Sequence, residues 1–305
     1  MRIFALALGV AVLSTAPALS ADLRTVRKAP VAAPAPTSPW DIAFGASIAT
    51  DYNFRGISQS DRGPSVNAYF EPRYNVMPNL QLYAGVSGYS TKLPTDPTGE
   101  FDLYGGFRPT FDKLALDFGV IYYAYPKERQ IDGTIIAVPN GATSLTDTDF
   151  LEFLGKGTYT FNENFSAGLG VYYTADWLNT GADGTYLTGN AKLILPSTFL
   201  PTGVGMFVSG ELAHYWLGDT KIDPIAYPVS LDLPDYTYWN IGLAFTYKVF
   251  TLDLRYHDTD LSKEECYLLT GDPGASIGSP VNRSKWCGSA FIAKLGFDMT
   301  LDSLK

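Results

Sequence analysis

Two histidines and two cysteines are the scarce reactive groups of this 305-residue chain. A Ser-His hydrolase of the outer-membrane phospholipase kind would have to use His214 or His257 as its base. His214 stands three positions after Glu211, which in a strand places the two on opposite faces, so His214 is expected to face lipid. His257 shares a face with Asp253 and Arg255 and is followed by Asp258, Asp260, Ser262 and Glu264. That run reads either as a metal or lipid site or as a solvated rim cluster. No glycine-rich phosphate loop or nucleophile elbow stands between a strand and a helix. Cys266 and Cys287 in an exported chain read as one disulfide pinning a loop, because a zinc site would need a second pair of ligands nearby. The expectation is therefore no enzyme, no cofactor and no metal.

A different chemistry lies in rows of charge. Asp51, Arg55, Glu71, Arg73, Asp102, Arg108, Asp117, Glu152, Lys156, Lys192, Glu211, Asp253, Arg255 and Lys294 recur on the less apolar face of successive alternating segments. Charges turned to the inside of a closed sheet must pair across strands or line water. Two readings stay open. The rows set the selectivity of a narrow polar channel, or they form an ion-pair core that fills the barrel.

The elements that carry these rows follow from period-two alternation. In the first, Ile42, Phe44, Ala46, Ile48, Tyr52 and Phe54 alternate with Asp41, Ala43, Gly45, Ser47, Asp51, Asn53 and Arg55. About twelve such segments are predicted, over residues 41–55, 65–76, 80–91, 100–111, 113–125, 149–161, 165–177, 185–195, 204–216, 236–248, 250–259 and 289–300. The connections alternate between short turns and long loops. That sorting, around an even strand count, belongs to an all-β, closed antiparallel transmembrane β-barrel. Hydrocarbon offers backbone groups no partner, so a spanning sheet has to close. Charged residues make up only 17% of the chain and aromatic residues 14%. Aromatics crowd the segment ends, among them Tyr52 and Phe54, Tyr122, Tyr123 and Tyr125, Tyr172, Tyr173 and Trp177, Tyr215 and Trp216, and Tyr236, Tyr238 and Trp239, as girdles at two headgroup levels would require.

Ahead of the barrel, residues 1–21 read as a signal peptide, with a basic start, an apolar run from Ile3 to Leu13 and small residues through Ala21. Residues 22–39 read as a Pro/Ala-rich periplasmic tether, and residues 40–305 as the barrel. The formal net charge of −9 disfavours a nucleic-acid partner. The loop at 126–148 is long enough to fold into the lumen, or to be displayed at the surface.

The stretch Thr50-Asp51-Tyr52-Asn53-Phe54-Arg55-Gly56-Ile57-Ser58-Gln59-Ser60 resembles the signature of the TorF-type porins, and the similarity runs on through Gly63-Pro64 and Leu82 to Val86. The resemblance implies an outer-membrane porin in a Gram-negative bacterium, reached by export through the periplasm. Asp51, Tyr52, Phe54, Arg55, Gly56, Ser58, Gln59 and Ser60 carry the motif. The segment from Gly56 to Gly63 reads as a tight external turn. Arg55 is read either as a ligand for an anionic solute or lipopolysaccharide phosphate, or as the partner of Asp51 or Asp61 in a salt bridge. The expected function is passive diffusion of small hydrophilic solutes through a charged lumen. The alternative is a non-conducting structural or surface-display barrel whose loops are its interaction surface. Its partners would be outer-membrane lipid and lipopolysaccharide. A homo-oligomer is compatible with such a barrel, though nothing in the sequence marks an interface.

Overall fold

The computed structural model describes residues 39–129, 147–221, 231–272, 274–275 and 284–304. The signal peptide, nearly all of the tether and most of the 126–148 loop lie outside the described residues.

The alternating segments form strands: β1 (Trp40–Ala49), the two-residue β2 (Asn53–Phe54) and β3 (Ile57–Ser58), β4 (Ser65–Met77), β5 (Leu80–Tyr89), β6 (Glu100–Phe111), β7 (Leu114–Ala124), β8 (Phe150–Asn162), β9 (Phe165–Thr174), β10 (Gly184–Leu195), β11 (Val204–Leu217), β12 (Tyr236–Tyr247), β13 (Phe250–Thr259) and β14 (Ala290–Thr300). All but β2 and β3 join in one closed antiparallel barrel in the order β1-β14-β13-β12-β11-β10-β9-β8-β7-β6-β5-β4. Closure is made where β1 pairs with both neighbours, Ala46 opposite Phe297 of β14 and opposite Ala68 of β4. No sheet edge is left in the barrel wall.

Register decides which face each side chain takes. Ile48, Leu103, Leu169, Leu212 and Phe291 all point outward and are more than half exposed. On a closed sheet this outer apolar surface is a lipid-facing band, and it makes the barrel a membrane-spanning one. No described helix is long and apolar enough to cross a membrane.

Two expectations change. Alternation predicts that the first segment runs as a strand to residue 55, but β1 ends at Ala49 and the chain turns into the lumen as the small β2–β3 hairpin. The aromatics at strand ends also do not all form girdles. Period-two alternation splits each adjacent pair, one ring to each face. Tyr122, Tyr173, Trp216 and Trp239 are 38–44% exposed, whereas Tyr123, Tyr172, Tyr215 and Tyr238 are 1–2% exposed and face inward. Tyr52, Tyr125 and Tyr236 are buried with the inner set.

The last long loop contains α1 (Lys263–Thr270). It begins with a capping box, in which the Ser262 hydroxyl accepts from the Glu265 amide and the Glu265 carboxylate accepts from the Ser262 amide. Cys266 and Cys287 form a disulfide with a Cα–Cα distance of 5.8 Å, which ties this helix to the segment leading into β14.

Candidate functional site: the barrel lumen

Apart from Asp51 and Arg55, which leave the wall after β1, the charged side chains assigned to the inner rows lie inside the barrel, on two opposing walls. On the β4–β8 wall, Arg108 gives a forked pair of hydrogen bonds to Glu71, at 2.9 and 3.1 Å. Glu71 also accepts from Arg73 at 2.6 Å. Arg108 lies 3.4 Å from Asp117, which is 3.3 Å from Lys156 and accepts from the Tyr83 hydroxyl. The Arg108 guanidinium also stacks over the Tyr83 ring at 3.6 Å. Glu71 is fully buried, so each oxygen must be satisfied within this network.

On the β10–β13 wall, Glu211 accepts from Tyr186, Thr188 and Asn240. Arg255 joins Asp253, Asn240 and the Ser209 hydroxyl. Lys192 sits over the Phe207 ring at 3.9 Å, and Lys294 stands in register with Asp253. The two histidines separate as their spacing implied. His214 is on the outer face, within 3.1 Å of the Thr237 hydroxyl, and His257 is inside, within 2.7 Å of the Tyr238 hydroxyl. Neither nitrogen is joined to a serine–carboxylate pair in these contacts.

The motif residues build a structure that the sequence reading did not anticipate. The segment Thr50 to Pro64 does not project outward as an external turn; its tip crosses the lumen. Arg55 makes a bidentate pair with Glu152 of β8, at 2.7 and 2.8 Å, with both side chains buried. Strand β8 is five strands from β1 in one direction and seven in the other, so the pair spans the barrel. The rings of Tyr186, Tyr215 and Tyr172 surround the guanidinium at 4.3, 4.9 and 5.0 Å, and Phe54 lies at 4.7 Å. The expected partner of Arg55, Asp51 or Asp61, is thus replaced by Glu152. The reason is that the loop buries Phe54 and Ile57, and the arginine between them follows.

Asp51 shapes the base of this loop by accepting from the Ser58 and Ser60 hydroxyls at 2.6 and 2.9 Å and from Arg62 at 3.2 Å. Ser60 in turn accepts from the Tyr52 amide, and the Gln59 amide donates to the Tyr52 carbonyl. Gly56 has φ +90°, and a Cβ there would run into Thr259 and Tyr238, so no other residue fits this turn. Tyr52 stacks on Tyr89 and donates to Glu100, which also accepts from Tyr125.

The disulfide-pinned loop holds the plug from outside. Trp286, 2% exposed, accepts from the Ser58 amide through its carbonyl and donates its indole N–H to Asp61 at 3.1 Å. Arg62 donates to the carbonyls of Lys285 and Gly288. Partial burial alone would raise the Asp61 carboxyl, but the Trp286 and Lys285 contacts outweigh it and hold the group below its ordinary value. Tyr52, Phe54, Arg55, Gly56 and Asp51 therefore act together as one inserted element, and the clue to it was the apolar pair Phe54 and Ile57 in what looked like an aqueous loop.

Comparison with known proteins gives a family and several barrels. Residues 33–276 match the model of a bacterial protein family of unknown function, Gcw_chp. No curated protein sequence matches the chain significantly. Among solved structures, a membrane protein from work on in-meso crystallization is 11% identical, with 86% of this chain and 84% of that one covered and a TM-score of 0.46. The KdgM porin is 9% identical, with 84% and 98% covered and a TM-score of 0.43. The NanC porin is 8% identical, with 85% and 98% covered and a TM-score of 0.42.

Proposed function

The chain belongs to the Gcw_chp family, and from that premise we propose that it is an outer-membrane, porin-like channel of the TorF type, exported through the periplasm of a Gram-negative bacterium. It passes small hydrophilic solutes by passive diffusion. The observation that carries this reading is the contrast between its two surfaces: an outer face of exposed aliphatic and aromatic side chains, and an inner face of charged rows on opposing walls. A barrel kept only for its wall has no need of so many inward charges, since apolar residues of similar volume fill a core at no loss of stability. Glu71, Arg73, Arg108, Asp117 and Lys156 on one wall, with Glu211, Asp253 and Arg255 on the other, set ion preference. The long-loop mouth of the barrel is the one turned toward lipopolysaccharide.

The Arg55–Glu152 bridge favours a second reading, a barrel shut at its long-loop mouth. Liposome swelling separates the two. The protein from residue 22 onward, refolded into liposomes, should admit small neutral sugars faster than empty liposomes do, and Arg108→Ala should change the relative uptake of charged solutes. A correctly folded barrel that swells at the rate of empty liposomes would overturn the channel reading and leave the loops as the functional surface.

A further inference from the structure

The surroundings of Arg55 have the composition of a ligand site. A fully buried carboxylate presents both oxygens to the guanidinium, and three tyrosine rings from three successive strands, β9, β10 and β11, enclose it. Carboxylate and aromatic faces together are what a desolvated organic cation requires. These groups belong to the rigid barrel wall, whereas the cation filling them arrives on a loop.

The other carboxyl groups in this part of the lumen point the same way. Tyr123, which donates to Glu152, stands in register with Asp102. Asp102 and Glu100 are buried carboxylates whose hydrogen-bond donors, among the described residues, are hydroxyls: Ser87 for Asp102, and Tyr52 and Tyr125 for Glu100. One oxygen of Asp102 has no partner. The mouth therefore holds more buried carboxyl groups than the one that Arg55 pairs with.

The loop also carries backbone strain. Arg55, Asp61 and Arg62 are non-glycine residues with φ between 49° and 55°, conformations that persist only where surrounding contacts enforce them. The inserted loop is thus held in place by its contacts rather than by its own preference.

We propose that the Glu152–Tyr172–Tyr186–Tyr215 cage is a binding site for the cationic group of a small solute, an alkylguanidinium or ammonium, and that Arg55 occupies it as a tethered stand-in. A solute cation that displaces Arg55 takes over its contacts and frees the loop. The solute assignment rests on the channel reading, whereas occupancy of the cage is measured without it.

The test is calorimetric titration of methylguanidinium into the refolded barrel as wild type, Arg55→Ala and Arg55→Ala/Glu152→Gln, with folding checked by heat-modifiable gel mobility. Arg55→Ala should bind at least roughly tenfold more tightly than wild type, and adding Glu152→Gln should cost about tenfold or more. Should Arg55→Ala fail to fold, Arg55→Asn empties the cage with a residue that tolerates positive φ. A folded Arg55 variant with no saturable binding, or binding indifferent to Glu152→Gln, would overturn the proposal. Binding without solute flux in liposomes would retain the cage and remove the channel reading; flux without binding would do the reverse.

Discussion

Replacing Glu152 by glutamine should release the loop that Arg55 anchors. The substitution leaves the guanidinium buried opposite a neutral amide, and breaking a buried ion pair in this way costs about 3–5 kcal/mol. Relaxing the left-handed backbone at Arg55 (φ 49°) returns about 1 kcal/mol. The net loss for the seated loop is then roughly 2–4 kcal/mol, or about 30- to 1,000-fold in its opening equilibrium. Hydrogen exchange reads this directly, because the Ser58 amide is bonded outside the inserted loop, to the Trp286 carbonyl, and the Gly56 and Gln59 amides, bonded to Asn53 and Tyr52, lie in the turn that the Arg55–Glu152 pair holds. Their exchange in Glu152→Gln should accelerate by that factor, while amides in the β10–β11 ladder keep their protection. Arg55→Ala should accelerate the same amides, and the double variant should add little to either single one, since both remove the same contact. Unchanged loop protection in a folded Glu152→Gln barrel would refute the reasoning.

Other consequences are equally open to measurement. Arg108→Ala removes the forked pair from the buried Glu71 and should destabilise the barrel by about 3 kcal/mol or more in urea unfolding from lipid. Leu169→Arg places a charge on the outer face midway along β9 and should cost about 2–4 kcal/mol in the same assay, with the lumen contacts intact. Reducing the Cys266–Cys287 disulfide, or replacing both residues by serine, should speed proteolysis of the α1 loop and of the loop beneath it by removing roughly 3 kcal/mol of constraint. Because the folded state depresses the Asp61 carboxyl, its contribution to the clamp is complete above an unfolded value of about 3.9 and is lost as pH falls through the lower folded value. Limited proteolysis of the two loops across this acid range should therefore show faster cutting only at the low end.

Much of the barrel was legible because a membrane imposes a strict rule on each strand: one face apolar, the next residue inward. Residues 100–111 and 250–259 form strands over the bounds that alternation predicts, and Glu71 and Arg108 fall inside because the register that turns Phe70, Phe101, Leu103 and Phe107 outward turns these charges in. The disulfide was legible from the presence of two cysteines in an exported chain. Partners across the lumen were not. Alternation assigns a face but says nothing of which opposite strand a side chain reaches, and Arg55 meets Glu152 at a separation of 97 residues. The first loop misled because Asp51, Asn53 and Arg55 continue the alternation of β1. Phe54 and Ile57 flanking Arg55-Gly56 carried the contrary signal, since apolar side chains at a loop tip must find cover.

The central claim is that a polar lumen runs through a membrane barrel and is narrowed at its long-loop mouth by the segment that carries Arg55. The most direct measurement is planar-bilayer conductance of the wild-type protein beside a variant in which residues 53–60 are replaced by a glycine–serine segment of equal length. The account expects small, infrequent steps from the wild type and larger, long-lived steps from the variant. Equal conductance from two correctly folded proteins, whether both silent or both fully open, would contradict it.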